Sequence, residues 1–282
     1  MKMNRLASFI VVGAIYVLAG AAGVVSYLMI PGEVWLRLLL ADCIATAVTF
    51  VFSVVCRNAS VYDPYWSVQP IVIVFAFLFV NKITLAKVLV CVAIGLWGVR
   101  LTANWAYTFH GLAHQDWRYT ALKEKTGALY PFVNFFGIHF VPTLIVYACT
   151  LPAVYVMQSA EAFSPLCLIG FAVCLLAVLL QGVADIQMHK YRRHRATPFI
   201  RTGVWKYSRH PNYLAEICMW WGVAMFTICA LGFEWYYLLG AVSNTVLFLC
   251  VSIPLADGRQ SKKEGFAEYK EQTRMLFPIK KF

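Results

Sequence analysis

The stretch of the sequence best suited to chemistry lies between residues 185 and 216, where a basic loop leads directly into an apolar segment. Residues 185–211 hold seven Lys and Arg against one acid, Asp185. The loop ends in Arg209-His210-Pro211-Asn212, and Glu216 follows one helical turn later. Basic side chains at a helix N-terminus attract anions such as phosphate groups. Surface charge beside a membrane explains the Lys and Arg but not a carboxylate inside the next apolar segment, so this stretch indicates an anion-binding site.

Two other stretches carry polar and aromatic side chains that an apolar chain does not need. Tyr62-Asp63-Pro64-Tyr65-Trp66 sets a carboxylate among aromatic rings beside a proline, which prevents a regular helix through this step. Trp97, Arg100 and Asn104 share one helix face by their spacing. Non-helical backbone at membrane depth is tolerated where it lines a cavity. An interfacial aromatic belt at residues 61–70, and a loop salt bridge between Asp116 and Arg118, are the plain alternatives.

Composition indicates which elements must position these residues. Hydrophobic residues make up 61% of the 282 residues, charged residues make up 13%, and the mean hydropathy is +0.68. A soluble domain is roughly 45–50% apolar and about 25% charged, so a soluble fold is excluded. A membrane-spanning helix needs about 20 apolar residues, and long runs without polar alternation favour helices over strands. Eight candidate helices are predicted, at residues 7–30, 34–56, 67–80, 85–109, 133–157, 162–188, 212–232 and 234–256.

The predicted fold is therefore an all-α polytopic membrane bundle. It has seven to eight transmembrane helices, because the segment at 67–80 is short and contains Pro70. We expect one membrane domain over residues 1–282, with a cofactor-binding half at roughly residues 100–282. The alternation of basic loops places both termini and the anion site on the cytoplasmic side. The expected location is a bacterial inner membrane.

The net charge and the cysteine spacing indicate which binding partners to expect. The net charge is +11, but no nucleic-acid-binding domain is recognisable, so nucleic acid is not expected as a partner. The nine cysteines form no CxxC pair and no His joins them at ligand spacing, so they predict reduced thiols and no metal site. Isolated polar residues such as Asp42 and Asn244 are expected to make interhelical hydrogen bonds. The expected partners are membrane lipids and a lipophilic small molecule from the bilayer; the oligomeric state is not predicted.

Arg209-His210-Pro211-Asn212-Tyr213-Leu214-Ala215-Glu216 resembles the RHPNY-x-x-E signature of the steroid 5α-reductase superfamily. The flanking residues that also match are Gly203-Val204-Trp205-Lys206-Tyr207-Ser208, Glu268-Tyr269 and Phe277-Pro278. Asp63-Pro64-Tyr65-Trp66 and Asp116-Trp117-Arg118-Tyr119 most resemble a bacterial branch known as domain of unknown function 1295. The resemblance covers roughly residues 60–282.

The resemblance implies a membrane reductase that binds NADPH from the cytoplasmic side. Such an enzyme transfers a hydride to the β-carbon of an enone, as in 3-oxo-4-ene steroids. Matched by position, the implied cofactor contacts are Asp185, Arg192, Tyr207, Asn212 and Glu216. The basic loop adds Arg201, Arg209 and His210. Further candidates for phosphate or diphosphate contacts are Arg100, Arg118 and Arg259.

The same resemblance implies where the substrate ketone is held. The Gln-Glu pair of the steroid enzymes falls at Tyr62-Asp63, and their Tyr falls at Trp97. Asp63 keeps the acid, whereas Trp97 has an N–H donor and no phenolic proton, so Tyr62 or Tyr65 is expected to supply a hydroxyl. A donor at the carbonyl oxygen stabilises the charge that develops there, and an apolar cavity should raise the pKa of Asp63 so that it can donate.

Two other functions fit the sequence less well. An S-adenosylmethionine-dependent methyltransferase of the isoprenylcysteine carboxyl methyltransferase type shares a similar C-terminal pattern. Its cofactor has no phosphate, so it has little need for the basic residues at 190–209. A non-catalytic scaffold or transporter leaves Asp63 and Glu216 without a shared purpose. The identity of the substrate is not predicted.

Overall fold

The computed structural model of the protein describes residues 4–160 and 163–277, so Pro278 lies outside the described residues. Within these ranges the chain is α-helical with short turns and has no β-strand, and Ser208 pairs with Arg274 in an isolated bridge. The α-helices are α1 (Arg5–Met29), α2 (Val34–Val55), α3 (Tyr65–Phe77), α4 (Leu85–Thr108), α5 (Trp117–Thr126), α6 (Tyr130–Phe132), α7 (Val141–Gln158), α8 (Cys167–Arg193), α9 (Pro211–Leu231), α10 (Leu239–Leu247), α11 (Ile253–Gln260) and α12 (Phe266–Gln272). Short 3₁₀ segments occur at Ala59–Val61, Gly127–Leu129, Gly203–Lys206 and Trp235–Leu238, and π-helical segments occur at Val133–Phe140 and Phe248–Ser252.

Seven helical stretches of the described chain are long and apolar enough to cross a membrane, which confirms the predicted all-α polytopic bundle. They are Arg5–Met29, Val34–Val55, Leu85–Thr108, Trp117–Gln158, Cys167–Arg193, Pro211–Leu231 and Trp235–Gln260. The eighth candidate, residues 67–80, folds as α3, which has 13 residues. At 1.5 Å per residue α3 is about 20 Å long, shorter than the roughly 30 Å hydrocarbon core of a bilayer. Seven spans are therefore the outcome.

The outward faces of these helices are apolar, as an integral membrane protein requires. Leu6, Val17 and Leu28 on α1 are 69%, 72% and 70% exposed. In water each would cost about 25 cal/mol for every Å² of apolar surface, whereas lipid chains are as apolar as leucine. The exposed leucines and valines thus mark a surface that faces lipid.

The chain divides into two compact units. The first unit contains the chain up to Val72 together with Leu101–Leu151, and α1 packs against α2 within it. Its apolar centre consists of Val12, Ile15, Val61, Phe109 and Leu112. The Asn58 amide donates to the carbonyl of Leu112 at 2.8 Å and fixes the turn that leads to Asp63.

The second unit contains Ile73–Arg100 and the chain from Pro152 onward, and its main packing is α8 against α9. Gly170 and Gly222 let the two backbones approach closely. A Cβ on Gly170 would lie 2.5 Å from the amide nitrogen of Phe226, and one on Gly222 would lie 2.7 Å from Sγ of Cys174. Small residues at helix crossings serve this purpose in membranes. The close contact fixes the rotation of α9, and hence the direction of Glu216. The single-domain prediction and its half at residues 100–282 stay predictions.

Candidate functional site

The carboxylate of Glu216 is the buried centre of the candidate site in the second unit. Pro211 occupies the first turn of α9, where its missing N–H costs nothing, and Glu216 lies in the second turn, 4% exposed. Nε1 of Trp97 and Nε2 of Gln181 donate to its Oε2 at 2.8 and 2.6 Å. Nε1 of Trp220 donates to its Oε1 at 3.0 Å. Three N–H donors from three helices hold the group as an acceptor, and hydrogen bonds to a charged acceptor are the strong ones.

Gln181 connects Glu216 to an ion pair. The Arg100 guanidinium donates to Oε1 of Gln181 at 2.9 Å and to Oδ2 of Asp185 at 2.5 Å. The side chains of Arg100 and Asp185 are 18% and 20% exposed, so this end is more accessible than Glu216. We call Glu216, Gln181, Arg100 and Asp185 the polar ladder. Trp97 and Arg100 therefore face protein and not lipid. Gln181 was not among the residues predicted for the site.

Arg209 and His210, both predicted as cofactor contacts, are buried and are bonded within the protein. Nη2 of Arg209 donates to Oδ2 of Asp257 at 3.1 Å, and Nε2 of His210 donates to Oδ1 of the same carboxylate at 2.8 Å. Nη1 of Arg209 also donates to the carbonyl of Thr273 at 2.6 Å. The His210 ring stacks on Tyr213 with centroids 5.3 Å apart. These bonds tie the loop to the C-terminal tail. Their role as cofactor contacts stays a prediction, and Asp257 is a partner that the sequence analysis missed.

Other predicted contacts lie on an exposed basic surface of the second unit. Arg192, Arg201, Tyr207 and Arg259 are exposed, and Asn212 is partly buried. Arg192 interacts electrostatically with Asp185 at the accessible end of the polar ladder. Arg192 and Asp185 both lie on α8, so this interaction joins two residues of one helix. The cofactor contacts expected of Arg192, Arg201, Tyr207 and Asn212 stay predictions.

Cations from the loop and the tail also meet in this unit. The pKa of the Lys263 ammonium is lowered, first by burial and then by the positive charges of Arg259 and Arg195. We call Arg195, Arg259 and Lys263 the cationic cluster. Three cationic side chains that are close enough to affect one another suit an anion with several negative oxygens. Arg259 was predicted, whereas Arg195 and Lys263 were not singled out, because nothing in the sequence shows that they meet.

Asp63, the predicted acid, lies in the first unit beside Tyr119. The Tyr119 hydroxyl donates to Oδ1 of Asp63 at 2.6 Å. Burial raises the pKa of Asp63 to about 6, while the charge of Arg118 and the Tyr119 hydrogen bond act in the opposite direction. The expected raised pKa is confirmed. The side chain of Arg118 is 49% exposed and is paired with Asp116 at 2.8 Å, so the predicted loop salt bridge is present. A phosphate contact at Arg118 stays a prediction.

The two tyrosines expected to supply a hydroxyl to the substrate carbonyl make hydrogen bonds within the protein. Tyr62 shares a hydrogen bond with Thr143 at 2.8 Å, and Tyr65 donates to Asp42 at 2.6 Å. Their expected role at the substrate stays a prediction, whereas the hydroxyl that contacts Asp63 itself is that of Tyr119. The sequence signal was present in Asp116-Trp117-Arg118-Tyr119 but gave no indication of which residue faces Asp63. Trp97 is fully buried with its N–H on Glu216, in the second unit.

Comparison with known proteins gives a family and a distant relative. The family described as "Protein of unknown function (DUF1295)" matches residues 49–273. The chain is also similar to an uncharacterized protein of Schizosaccharomyces pombe, with 26% identity over 238 residues, which cover 74% of this chain and 65% of that protein. The chain thus spans less than two thirds of the length of this relative, and the relative belongs to a eukaryote. No solved structure matches the chain.

Proposed function

The chain belongs to the DUF1295 family, and we propose that it is an NADPH-dependent membrane reductase that transfers a hydride to the activated C=C of a lipophilic enone. The observation that carries the proposal is the cationic cluster in the same compact unit as the polar ladder. The resemblance of Arg209–Glu216 to the signature of the steroid 5α-reductase superfamily supports the same reaction. A steroid is one candidate substrate within this class.

The residues present fit a phosphorylated dinucleotide. Arg195, Arg259 and Lys263 would hold phosphate groups, since they are cations that lie close enough to affect one another: the pKa of Lys263 is lowered mainly by burial and then by the charges of the two arginines. Asn212 and Glu216, at the start of α9, are the proposed contacts for the ribose or the carboxamide. Two further arginines, Arg192 in the last turn of α8 and Arg201 in the loop that follows, favour a 2′-phosphate and hence NADPH over NADH. Bound NADPH supplies the hydride.

The protein's own contribution is to bind, orient and polarise. The polar ladder keeps Glu216 fixed through three N–H donors, so that the start of α9 presents a rigid surface. Asp63 has a pKa of about 6 and is therefore protonated in part of the molecules near neutral pH. We propose that protonated Asp63 donates a hydrogen bond to the substrate carbonyl oxygen, where negative charge develops in the transition state. Trp97 then acts by positioning Glu216.

The methyltransferase alternative makes less use of these features. S-adenosylmethionine is cationic at sulfur and carries no phosphate, so the cationic cluster would repel it. A scaffold or transporter has no use for a clustered set of cations beside a buried carboxylate. The cytoplasmic orientation of this surface and of both termini is part of the proposal, since the positive-inside rule places such loops there.

A thermal-shift measurement on the detergent-purified protein tests the class. NADPH, NADH and S-adenosylmethionine are added side by side, at equal concentration. A ligand at about 100 times its Kd stabilises a protein by about 2.7 kcal/mol, so binding is readily seen. We expect NADPH to raise Tm most, and Asn212→Ala to reduce that rise. Stabilisation by S-adenosylmethionine alone, or by none of the three, would contradict the proposal.

A further inference from the structure

The first unit holds a second polar cluster that the proposed reaction does not use. It consists of seven residues: three pairs and Tyr62. The two residues of each pair are four positions apart in the sequence and lie on the same helical stretch, and Tyr62 contacts members of two of the pairs. The pairs are Asp42 and Thr46 on α2, Tyr65 and Gln69 on α3, and His139 and Thr143 at the junction of the π segment with α7. All seven side chains are buried, with exposures from 0% to 7%. Buried polar groups at membrane depth are costly and commonly functional.

Asp42 is the acidic member, and both of its oxygens take part in hydrogen bonds. The Tyr65 hydroxyl donates to Oδ1 at 2.6 Å, and Nε2 of Gln69 donates to Oδ2 at 2.9 Å. The ring of Tyr62 stacks on Tyr65, with centroids 5.2 Å apart and planes 19° apart. Each oxygen of the Asp42 carboxyl group thus already accepts a hydrogen bond from a neutral side chain.

A chain of hydroxyl groups continues from this stack. Thr143 shares hydrogen bonds with Tyr62 at 2.8 Å and with Thr46 at 2.9 Å. The ring of His139 lies 4.7 Å from that of Tyr62. The cluster is therefore continuous from Gln69 at one end to His139 at the other.

The atoms of this cluster that lack a partner among the described residues are acceptors. Nε2 of Gln69 donates to Oδ2 of Asp42, and Oε1 of the same amide is left without a partner among the described residues. Nδ1 of His139 lies 3.0 Å from the Asn134 carbonyl and must donate to it, so the bare Nε2 carries a lone pair. Asn134 is outside the cluster but contacts His139 through its carbonyl, and its own Oδ1, in a side chain that is 5% exposed, also has no partner among the described residues. The cluster thus lacks hydrogen-bond donors, and a buried acceptor without a donor is unfavourable.

We propose that this cluster binds the hydroxyl group of a lipophilic alcohol, whose O–H donates to Gln69 Oε1 or to His139 Nε2. Neutral acceptors match a neutral donor. An ammonium group would bring a charge to this depth, which is costly. Because the surrounding helices are apolar on their outer faces, the alcohol reaches the site from the bilayer. The proposal is independent of NADPH.

Matched pairs of probes test the site. Each alcohol is compared with the hydrocarbon that lacks its hydroxyl group: hexadecanol with hexadecane, farnesol with farnesene, and cholesterol with cholestane. Hexadecylamine serves as the cationic probe. Binding to the full-length protein in nanodiscs is measured by native mass spectrometry. Gln69→Leu and His139→Phe each remove one acceptor. Asn244→Leu is the matched control, because it removes a fully buried amide from the second unit.

We expect the wild-type protein to bind at least one alcohol about five- to tenfold more tightly than its hydrocarbon, which is the effect of one neutral hydrogen bond. That preference should disappear in at least one of the Gln69→Leu and His139→Phe proteins and persist in Asn244→Leu. If one of the two variants does not fold, the other decides. Three results would overturn the proposal. The wild-type protein could bind no alcohol more tightly than its hydrocarbon, or it could bind hexadecylamine more tightly than hexadecanol. The preference for the alcohol could also persist in Gln69→Leu and His139→Phe, or in whichever of these two proteins folds. Water would then serve the acceptors.

Discussion

Removing the Tyr119 hydroxyl should raise the pKa of Asp63. Burial already raises it from 3.8 to about 6, and the O–H bond from Tyr119 opposes that rise by stabilising the carboxylate at 2.6 Å. A hydrogen bond to a charged group contributes about 1.5–3 kcal/mol, and one pH unit corresponds to 1.36 kcal/mol. Tyr119→Phe should therefore move the midpoint of protonation up by about one to two pH units.

The sign of the accompanying stability change follows from linkage. The pKa of Asp63 in the folded protein lies above the ordinary 3.8, so the folded state holds this proton more tightly than the unfolded chain. Stability is thus lost as the pH rises from about 4 to about 6, by at most about 3 kcal/mol, since Asp63 is only partly buried. In Tyr119→Phe the loss should continue to a pH of about 7–8. Asp63→Asn should remove this pH dependence.

Infrared titration of the protonated carboxyl band between pH 4 and 9 measures the midpoint directly. The spectrum of Asp63→Asn identifies the band by subtraction. Tyr107→Phe, at a half-exposed tyrosine of the same unit, is the control and should leave the midpoint near that of the wild type. A midpoint in Tyr119→Phe equal to or below that of the wild type would refute the claim that Tyr119 stabilises the Asp63 carboxylate.

Two further substitutions test the packing that positions the candidate site. Gly170→Ala places a Cβ 2.5 Å from the backbone of α9. Such overpacking should lower the free energy of unfolding, measured by thermal unfolding, by about 1–3 kcal/mol. The control Gly13→Ala has nothing within 4 Å of its Cβ and should leave stability nearly unchanged. Asp257→Asn removes the charge that faces buried Arg209 and should cost about 1.5–3 kcal/mol, with faster proteolysis of the tail. Exposed Glu271→Gln should change stability by less than about 0.5 kcal/mol. Equal effects in a variant and its control would contradict either prediction.

Much of the fold follows from hydropathy alone, because each span must satisfy its own backbone in lipid. The segment at 67–80 was ambiguous, since it is apolar but contains Pro70, and it forms the short α3. The sequence predicted a membrane-spanning helix only at residues 133–157, whereas the helical stretch runs from Trp117 to Gln158. Its polar first turns continue as helix because Asp116 caps α5 through the Arg118 amide at 2.8 Å, a contact that hydropathy does not measure.

The sequence could predict which residues of the candidate site share a face of one helix, but not which helices come into contact. Helical spacing indicated that Trp97 and Arg100 share a face. It could not show that this face meets Gln181 and Asp185 of α8, since this depends on how each helix is rotated by contacts such as that at Gly170. Asp257 was missed for the same reason, because it is distant in sequence from the loop that it holds.

The dissociation constant for NADPH, measured by isothermal titration, tests the central claim most directly. Arg259→Gln/Lys263→Gln removes two members of the cationic cluster, and the control Lys82→Gln/Lys125→Gln removes two exposed charges elsewhere, so that the net charge of the two proteins is the same. The account predicts NADPH binding by the wild type, an unchanged Kd in the control, and a Kd raised about tenfold or more in the cluster variant. Equal affinity in all three proteins, or no binding by the wild type, would contradict it.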